Sequence, residues 1–186
     1  MIREGYMANQ IKIEPHVLIV SRTNRQGIIE YANRDFSAVS GYAMEELIDR
    51  PHRIIRHPDM PGVIFKMMWE RLHNNQDIFA VVKNLAKNGD YYWVTTHFEI
   101  RKHPYENRVV GYVAHRRAAD AHLVAKITPL YAELLDIEKR EGLAASEAYL
   151  TNYLQSKKMT YDEYIEKAAL KDGFLTSMFK KLIRND

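Results

Sequence analysis

Apolar and polar positions alternate along the first two thirds of the chain in a way that predicts β-strands. Five segments are rich in β-branched and aromatic residues: 16–23, 27–32, 78–86, 91–100 and 109–115. Turn residues join the first two segments, and the dipeptide Asn88-Gly89 joins the third to the fourth. Both connections are typical of hairpins. The sequence therefore predicts a five-stranded antiparallel sheet.

Short helices are predicted between the second and third strands. Asn33 can cap a helix over residues 34–40 that ends at Gly41. Three prolines within residues 51–61 exclude a long helix there. Apolar residues at helical spacing predict a further helix over 62–73. Central helices on one face of the sheet indicate an α+β sensor-type domain with a pocket between helix and sheet.

The composition changes near residue 118, where strand-forming residues give way to helix formers. We expect an N-terminal segment over 1–14, a sensor domain over 15–118 and a helical extension over 119–186. The helices predicted in the extension cover residues 120–127, 130–141, 144–156, 161–171 and 174–183. Thr128-Pro129 is expected to separate the first two of them, because proline favours the first turn of a helix. Their apolar stripes indicate docking on the sensor domain or an interface with another chain.

Composition and charge exclude several kinds of protein. The net charge of +3 is too small to indicate a nucleic-acid partner, and no basic stripe with interleaved aromatics is present. No apolar run approaches the roughly 18 residues of a membrane helix, and the first residues lack a signal-peptide core. We therefore expect a cytoplasmic protein without direct membrane insertion. The chain has no cysteine, which excludes disulfides, Cys-ligated metals and thiol chemistry.

Four segments carry a resemblance to a known family. They are YANRDFSAVSGYAMEEL (31–47), PHRIIRHPDMP (51–61), FKMMWERL (65–72) and VVKNLAKNGDYYWV (81–94). In their order and spacing the sequence resembles PAS domains, and among them the Aer type, which senses redox state or oxygen for energy taxis. The similarity covers about residues 15–137. It implies a PAS fold followed by the helical extension.

The resemblance implies a noncovalently bound FAD. The cofactor-binding candidates at matching positions are Arg56, His57, Asp59, Trp69, Asn84 and Asn33. Their chemistry agrees with this assignment, since a guanidinium suits a pyrophosphate and an aromatic ring or amide suits a flavin. Redox sensing requires neither a catalytic residue nor a metal ion, and no motif of an enzyme is present. We therefore expect a sensor rather than an enzyme.

Two other interpretations stay open. The first is a gas sensor that binds haem b through His57 or His73, since no covalent attachment motif exists. The second is a cofactor-free interaction module, because Ile78 stands where relatives have tryptophan and Ala80 where they have glycine. A thiol-adduct photosensor of the LOV kind is excluded by the absence of cysteine.

The resemblance also implies a partner. Complete aerotaxis receptors carry a transmembrane anchor and a methyl-accepting coiled coil, which the sequence lacks. It resembles the soluble, CetB-like half of a split receptor. We therefore expect a membrane-bound methyl-accepting chemotaxis transducer as partner, and a homodimer formed through the PAS domain or the C-terminal helices is a further possibility.

Overall fold

The structure is a computed structural model that describes residues 8–170. The described residues form two compact units. The first runs to Met60 and resumes at Ile64–Ala118, and the second consists of Pro61–Val63 with the residues from Ala119 onward. No helix among the described residues is both long enough and apolar enough to cross a membrane.

The first unit contains a five-stranded sheet. Its strands are β1 (Ile19–Asn24), β2 (Ile29–Ala32), β3 (Ile78–Leu85), β4 (Tyr91–Lys102) and β5 (Val109–Ala118). They lie in the order β2-β1-β5-β4-β3, and every neighbouring pair is antiparallel. The predicted fold class is confirmed. Gly89 in the turn between β3 and β4 has a φ of +94°, a conformation that glycine adopts without strain.

Strand β5 extends three residues beyond the predicted end at His115. Arg116 lies opposite Ile19 of β1 and opposite Thr96 of β4. Because β5 lies between β1 and β4, both edges of its backbone find partners at Arg116, and polar side chains do not end the strand. Arg116 thereby becomes part of the sheet.

The helices of this unit are α1 (Arg34–Ser40), α2 (Met44–Leu47) and, from Ile64 onward, α3 (Gly62–His73), with a 3-10 turn at His52–Ile55. Asn33 caps α1 by accepting a hydrogen bond from the Phe36 amide, and Gly41 ends the helix with a φ of +73°. The bounds of α1 and α3 agree with those predicted. Phe36, Ile64 and Leu72 are buried on the side that faces the core.

The second unit contains α4 (Ala121–Glu141), α5 (Leu143–Lys157) and α6 (Tyr161–Ala169). The predicted break at Thr128-Pro129 is wrong, because α4 continues through Pro129. The apolar stripe that it buries is Leu123, Ile127, Leu130, Tyr131, Leu134 and Ile137. Burial of that uninterrupted stripe offsets the hydrogen bond that proline removes.

Local capping signals in this unit are confirmed. Gly142 ends α4, and Thr160 and Glu163 form a capping box at the start of α6. The helix predicted over 174–183 lies outside the described residues.

Candidate functional site

A cavity of about 360 Å³ lies in the first unit, bounded by α3, the 3-10 turn, the β1–β2 hairpin and one face of the sheet. This volume is within the range of small-molecule sites, which is roughly 300–1,000 Å³. The residues on which the following description depends are Ser21, Gly27, His52, Arg56, Trp69, Asn84, Tyr112 and Arg116. We refer to the sheet face that carries them as the inner face.

Arg116 lies at the base of this cavity. It shares the inner face with Tyr112 and Ala114, because side chains alternate along β5. Only 2% of the residue is exposed. Its guanidinium donates hydrogen bonds to Ser21 Oγ at 3.0 Å, to His52 Nε2 at 2.8 Å and to the carbonyl oxygen of Ala114 at 3.4 Å. All three acceptors are neutral.

The charge of Arg116 has no anionic partner among the described residues. The rings of Phe36 and Phe98 approach the guanidinium, with their centroids 5.6 and 5.8 Å from its central carbon. Burial lowers the pKa of Arg116 from 12.5 to about 10, so the group stays protonated at neutral pH. A buried, unneutralised cation is unfavourable unless an anion completes the site. The cavity is therefore suited to a ligand that carries or acquires negative charge.

His52 orients the guanidinium of Arg116 by accepting its hydrogen bond at Nε2. Its ring stacks on Phe36 with centroids 5.7 Å apart. Burial, followed by the charge of Arg116, lowers the pKa of His52 from 6.5 to about 3. The imidazole is therefore neutral at physiological pH, and since Nε2 accepts from Arg116, its proton is on Nδ1. A neutral acceptor orients the guanidinium without neutralising it.

Among the described residues, three further polar groups on the inner face have no hydrogen-bond partner. They are Asn84 Nδ2, Tyr92 Oη and Thr96 Oγ1, each belonging to a residue no more than 3% exposed. Asn84 lies opposite Tyr92 across β3 and β4, and Thr96 lies opposite Arg116. Burying such groups unpaired is costly. Asn84 lines the cavity, where its amide is available to a ligand.

Two of the predicted residues lie nearer the open side. Arg56 is exposed, and its guanidinium lies 4.4 Å from the centroid of the Phe65 ring and donates to the carbonyl oxygen of Met60. Trp69, on α3, contacts Tyr112 edge-on with centroids 5.6 Å apart. The structure thus brings Arg56, Trp69 and Asn84 to one cavity, and the backbones of Arg56 and Asn84 are paired.

The other predicted residues do not line this cavity. His57 is buried; its Nδ1 accepts from the Asp59 amide, and burial lowers the pKa of the ring. Asp59 is exposed and pairs with Lys83 at 2.7 Å. Asn33 uses its side chain to accept from two amides and to donate to the carbonyl oxygen of Leu18. Their cofactor roles stay predictions.

The histidine that lines the cavity is neither of the predicted haem candidates. His73 is exposed beside Trp69, and His52 lies in the cavity. Ile78 and Ala80, the departures noted in the sequence, are buried but do not line it. In the part of the chain that the structure describes, no group of three or more His, Asp or Glu side chains could hold a metal ion.

Sequence reasoning missed Arg116, His52, Ser21, Tyr92 and Thr96. The sequence did contain one signal for Arg116, because Tyr112, Ala114 and Arg116 occupy every second position of β5 and therefore share one face of the strand. Ending the strand at His115 concealed it. The contacts of Arg116 join residues 64 and 95 positions apart, which no local pattern reveals.

Residues 29–115 match the PAS fold family, and this segment holds β2, β3, β4, most of β5 and the greater part of the cavity lining. This part of the chain is a PAS domain. The chain is 39% identical over 116 residues, or 62% of its length, to the aerotaxis receptor of Escherichia coli (strain K12). The domain is therefore a PAS domain of the Aer type, as the sequence predicted.

Other similarities are weaker. The chain is 28% identical over 82 residues to the nitrogen fixation regulatory protein of Klebsiella pneumoniae, covering 44% of its own length. It matches 22% of the aerotaxis receptor and 17% of the regulatory protein, so it spans about a fifth of either relative.

Two solved structures have the same fold. One is a light-oxygen-voltage domain studied with a flavin analogue (22% identity, TM-score 0.51, 67% of this chain and 87% of that one). The other is the light state of the Aureochrome1 LOV domain of a blue-light photoreceptor (18% identity, TM-score 0.50, 66% and 90%). At these identities the likeness concerns the fold alone.

Proposed function

We propose that the protein is a FAD-binding PAS sensor for energy taxis, which reports redox or oxygen state to a membrane-bound chemotaxis transducer. The observation that carries the cofactor proposal is the buried charge of Arg116 in a cavity without a described carboxylate. FAD, when bound, supplies a ring system whose negative charge and protonation change on reduction.

In this proposal Arg116 binds the charge that appears on reduction. Ser21 and His52 hold the guanidinium at 3.0 and 2.8 Å, and both are neutral, so the full positive charge is available to the ligand. A new anion beside Arg116 competes with these two acceptors for its N–H groups. Rearrangement of those hydrogen bonds links the ligand's charge to β1 and the 3-10 turn.

The remaining cavity residues bind and orient the cofactor. Asn84 offers an unpaired Nδ2–H donor at the inner face, and Trp69 offers an aromatic face and edge. Arg56, exposed at the open side, is suited to the pyrophosphate, because a guanidinium fork matches phosphate oxygens. The donors and the cavity therefore fit FAD, whose ring edges take hydrogen bonds and whose pyrophosphate takes a guanidinium.

An absorbance spectrum of the purified protein tests the cofactor assignment. We expect an oxidised-flavin band near roughly 450 nm, present as purified or after addition of FAD. Arg56→Ala is expected to weaken FAD retention, whereas Arg108→Ala, which changes an exposed arginine outside the cavity, is a matched control. A colourless protein that takes up no FAD would overturn the proposal. A Soret band would overturn it in favour of a haem cofactor.

Several parts of the proposal rest on the sequence alone. These are the transducer partner, the homodimer, the domain limits at 15 and 118, and the cytoplasmic location. No catalytic role is proposed for any residue.

A further inference from the structure

A second concave site lies in the helical unit, between α4, the end of α5 and α6. It is a groove of about 520 Å³. Its lining consists of His122, Lys126, Tyr153, Lys157, Met159, Tyr164, Lys167, Ala168 and Leu170. We refer to these residues as the basic groove.

The basic groove is positively charged on every side. Lys126 comes from α4, Lys157 from α5 and Lys167 from α6, and all three are exposed. In the described part of the chain, no carboxylate lines the groove and none of the three ammonium groups pairs with a carboxylate. Glu163 lies four residues before Lys167 on α6, and its carboxylate accepts hydrogen bonds from the amide and hydroxyl of Thr160. Three lysines that converge from separate helices make the groove a local positive field.

The surface between the lysines is aromatic and apolar. Tyr153 and Tyr164 join their hydroxyl groups at 3.2 Å with their rings edge-to-face, and Lys157 lies 5.5 Å from the centre of the Tyr153 ring. Met159 and Leu170 add apolar area, and Leu170 is 44% exposed. An inorganic anion would gain little from this surface. A peptide that carries both carboxylates and apolar side chains would use all of it.

We propose that the basic groove binds an acidic, partly apolar segment of a partner protein. Charge complementarity selects this occupant over the chain's own C-terminal residues. Residues 171–186 contain four Lys or Arg (171, 180, 181 and 184) and two Asp (172 and 186), a net charge of +2. Like charges would repel that segment from three lysines. The proposal does not depend on the cofactor, because no residue of the basic groove belongs to the PAS cavity.

The test uses the full chain and three fluorescein-labelled peptides of equal length. One alternates Glu with Leu and Phe, the second has Gln in place of Glu, and the third has Lys. Binding is measured by fluorescence anisotropy, and the tyrosine ring signals are followed by NMR. The groove variant is K126Q/K157Q/K167Q. Its matched control, K12Q/K102Q/K139Q, removes three exposed lysines from elsewhere in the described chain.

We expect the acidic peptide alone to bind and to shift the Tyr153 and Tyr164 signals. The groove variant is expected to weaken this binding by about tenfold, at roughly 0.5 kcal/mol for each exposed charge pair, and the control to leave it unchanged. Equal loss in both triple variants would overturn the proposal, as would unshifted signals of both tyrosines. So would binding of a poly-dT oligonucleotide as tight as that of the acidic peptide. If the unaltered chain bound no peptide and only the groove variant lost self-association, the proposal would be overturned and the groove assigned to a second copy of the chain.

Discussion

Replacing Arg116 with methionine separates the cofactor role of this residue from its role in folding. The substitution keeps the length and most of the volume of the side chain and removes the charge. After it, Ser21 Oγ and His52 Nε2 remain 3.0 Å apart and can bind each other. Neither Ser21 nor His52 is therefore left buried without a partner.

The magnitude follows from the buried charge. Burial lowers the pKa of Arg116 from 12.5 to about 10, which corresponds to a folding cost of about 3 kcal/mol at roughly 1.4 kcal/mol per pKa unit. Because the folded-state pKa is below the unfolded one, this cost is complete at neutral pH and disappears only as the pH rises from 10 to 12.5. The lost hydrogen bonds offset about 2 kcal/mol of the gain. We expect the cofactor-free variant to be unchanged or more stable by about 1 kcal/mol.

The assay has two parts. Urea unfolding of the cofactor-free protein gives the free energy of unfolding, and titration with FAD gives the affinity. Loss of a charge-assisted contact is expected to weaken FAD binding by about tenfold or more. Arg117→Met is the matched control, since its side chain is the next along β5 and points to the opposite face.

A variant that loses more than about 2 kcal/mol of stability while keeping its FAD affinity would refute this reasoning. Arg116 would then be a structural residue whose charge is accommodated by its neutral partners. An equal loss of FAD affinity in Arg117→Met would also contradict it.

Three further predictions concern stability and are checked by urea denaturation. The folded-state pKa of His52 is about 3 and its unfolded value is 6.5, so the free energy of unfolding is expected to decline below pH 6.5 by at most about 1.4 kcal/mol per pH unit. His52→Gln is expected to flatten this decline. An unchanged slope would contradict a buried, neutral His52. Gly27 has a φ of +77°, and an added Cβ would lie 3.0 Å from the Trp69 ring, so Gly27→Ala is expected to cost about 1–2 kcal/mol. An unchanged free energy of unfolding would show that the β1–β2 hairpin moves away from the Trp69 ring. Thr160→Ala removes the cap of α6 and is expected to cost about 1 kcal/mol, whereas Thr160→Ser is expected to cost little.

Local signals predicted most of the first unit. Asn33 and Gly41 bound α1 at the predicted positions, and Asn88-Gly89 forms the turn between β3 and β4. These signals succeed because a cap or a turn depends on the backbone of a few adjacent residues. Among the site candidates, Arg56, Trp69 and Asn84 line one cavity, while His57, Asp59 and Asn33 lie elsewhere.

The same local signals failed where packing opposed them. Pro129 and the preceding threonine have the pattern of a helix start, yet α4 passes through them. Six buried apolar residues continue at helical spacing on both sides, and their burial outweighs the loss of one backbone hydrogen bond. The end of β5 was misplaced for a related reason, since β1 and β4 extend the pairing beyond His115.

By itself the sequence determined the α+β class, the order of the elements and the resemblance to Aer-type PAS domains. These depend on periodicity, caps and turns, which residues close in sequence specify. Only the tertiary structure decided that Arg116 is enclosed with no carboxylate of the described residues beside it and that His52 is neutral there. It also decided that three lysines converge on one groove. Burial and the identity of neighbours set the energy of a charge, and both depend on residues brought together from distant parts of the chain.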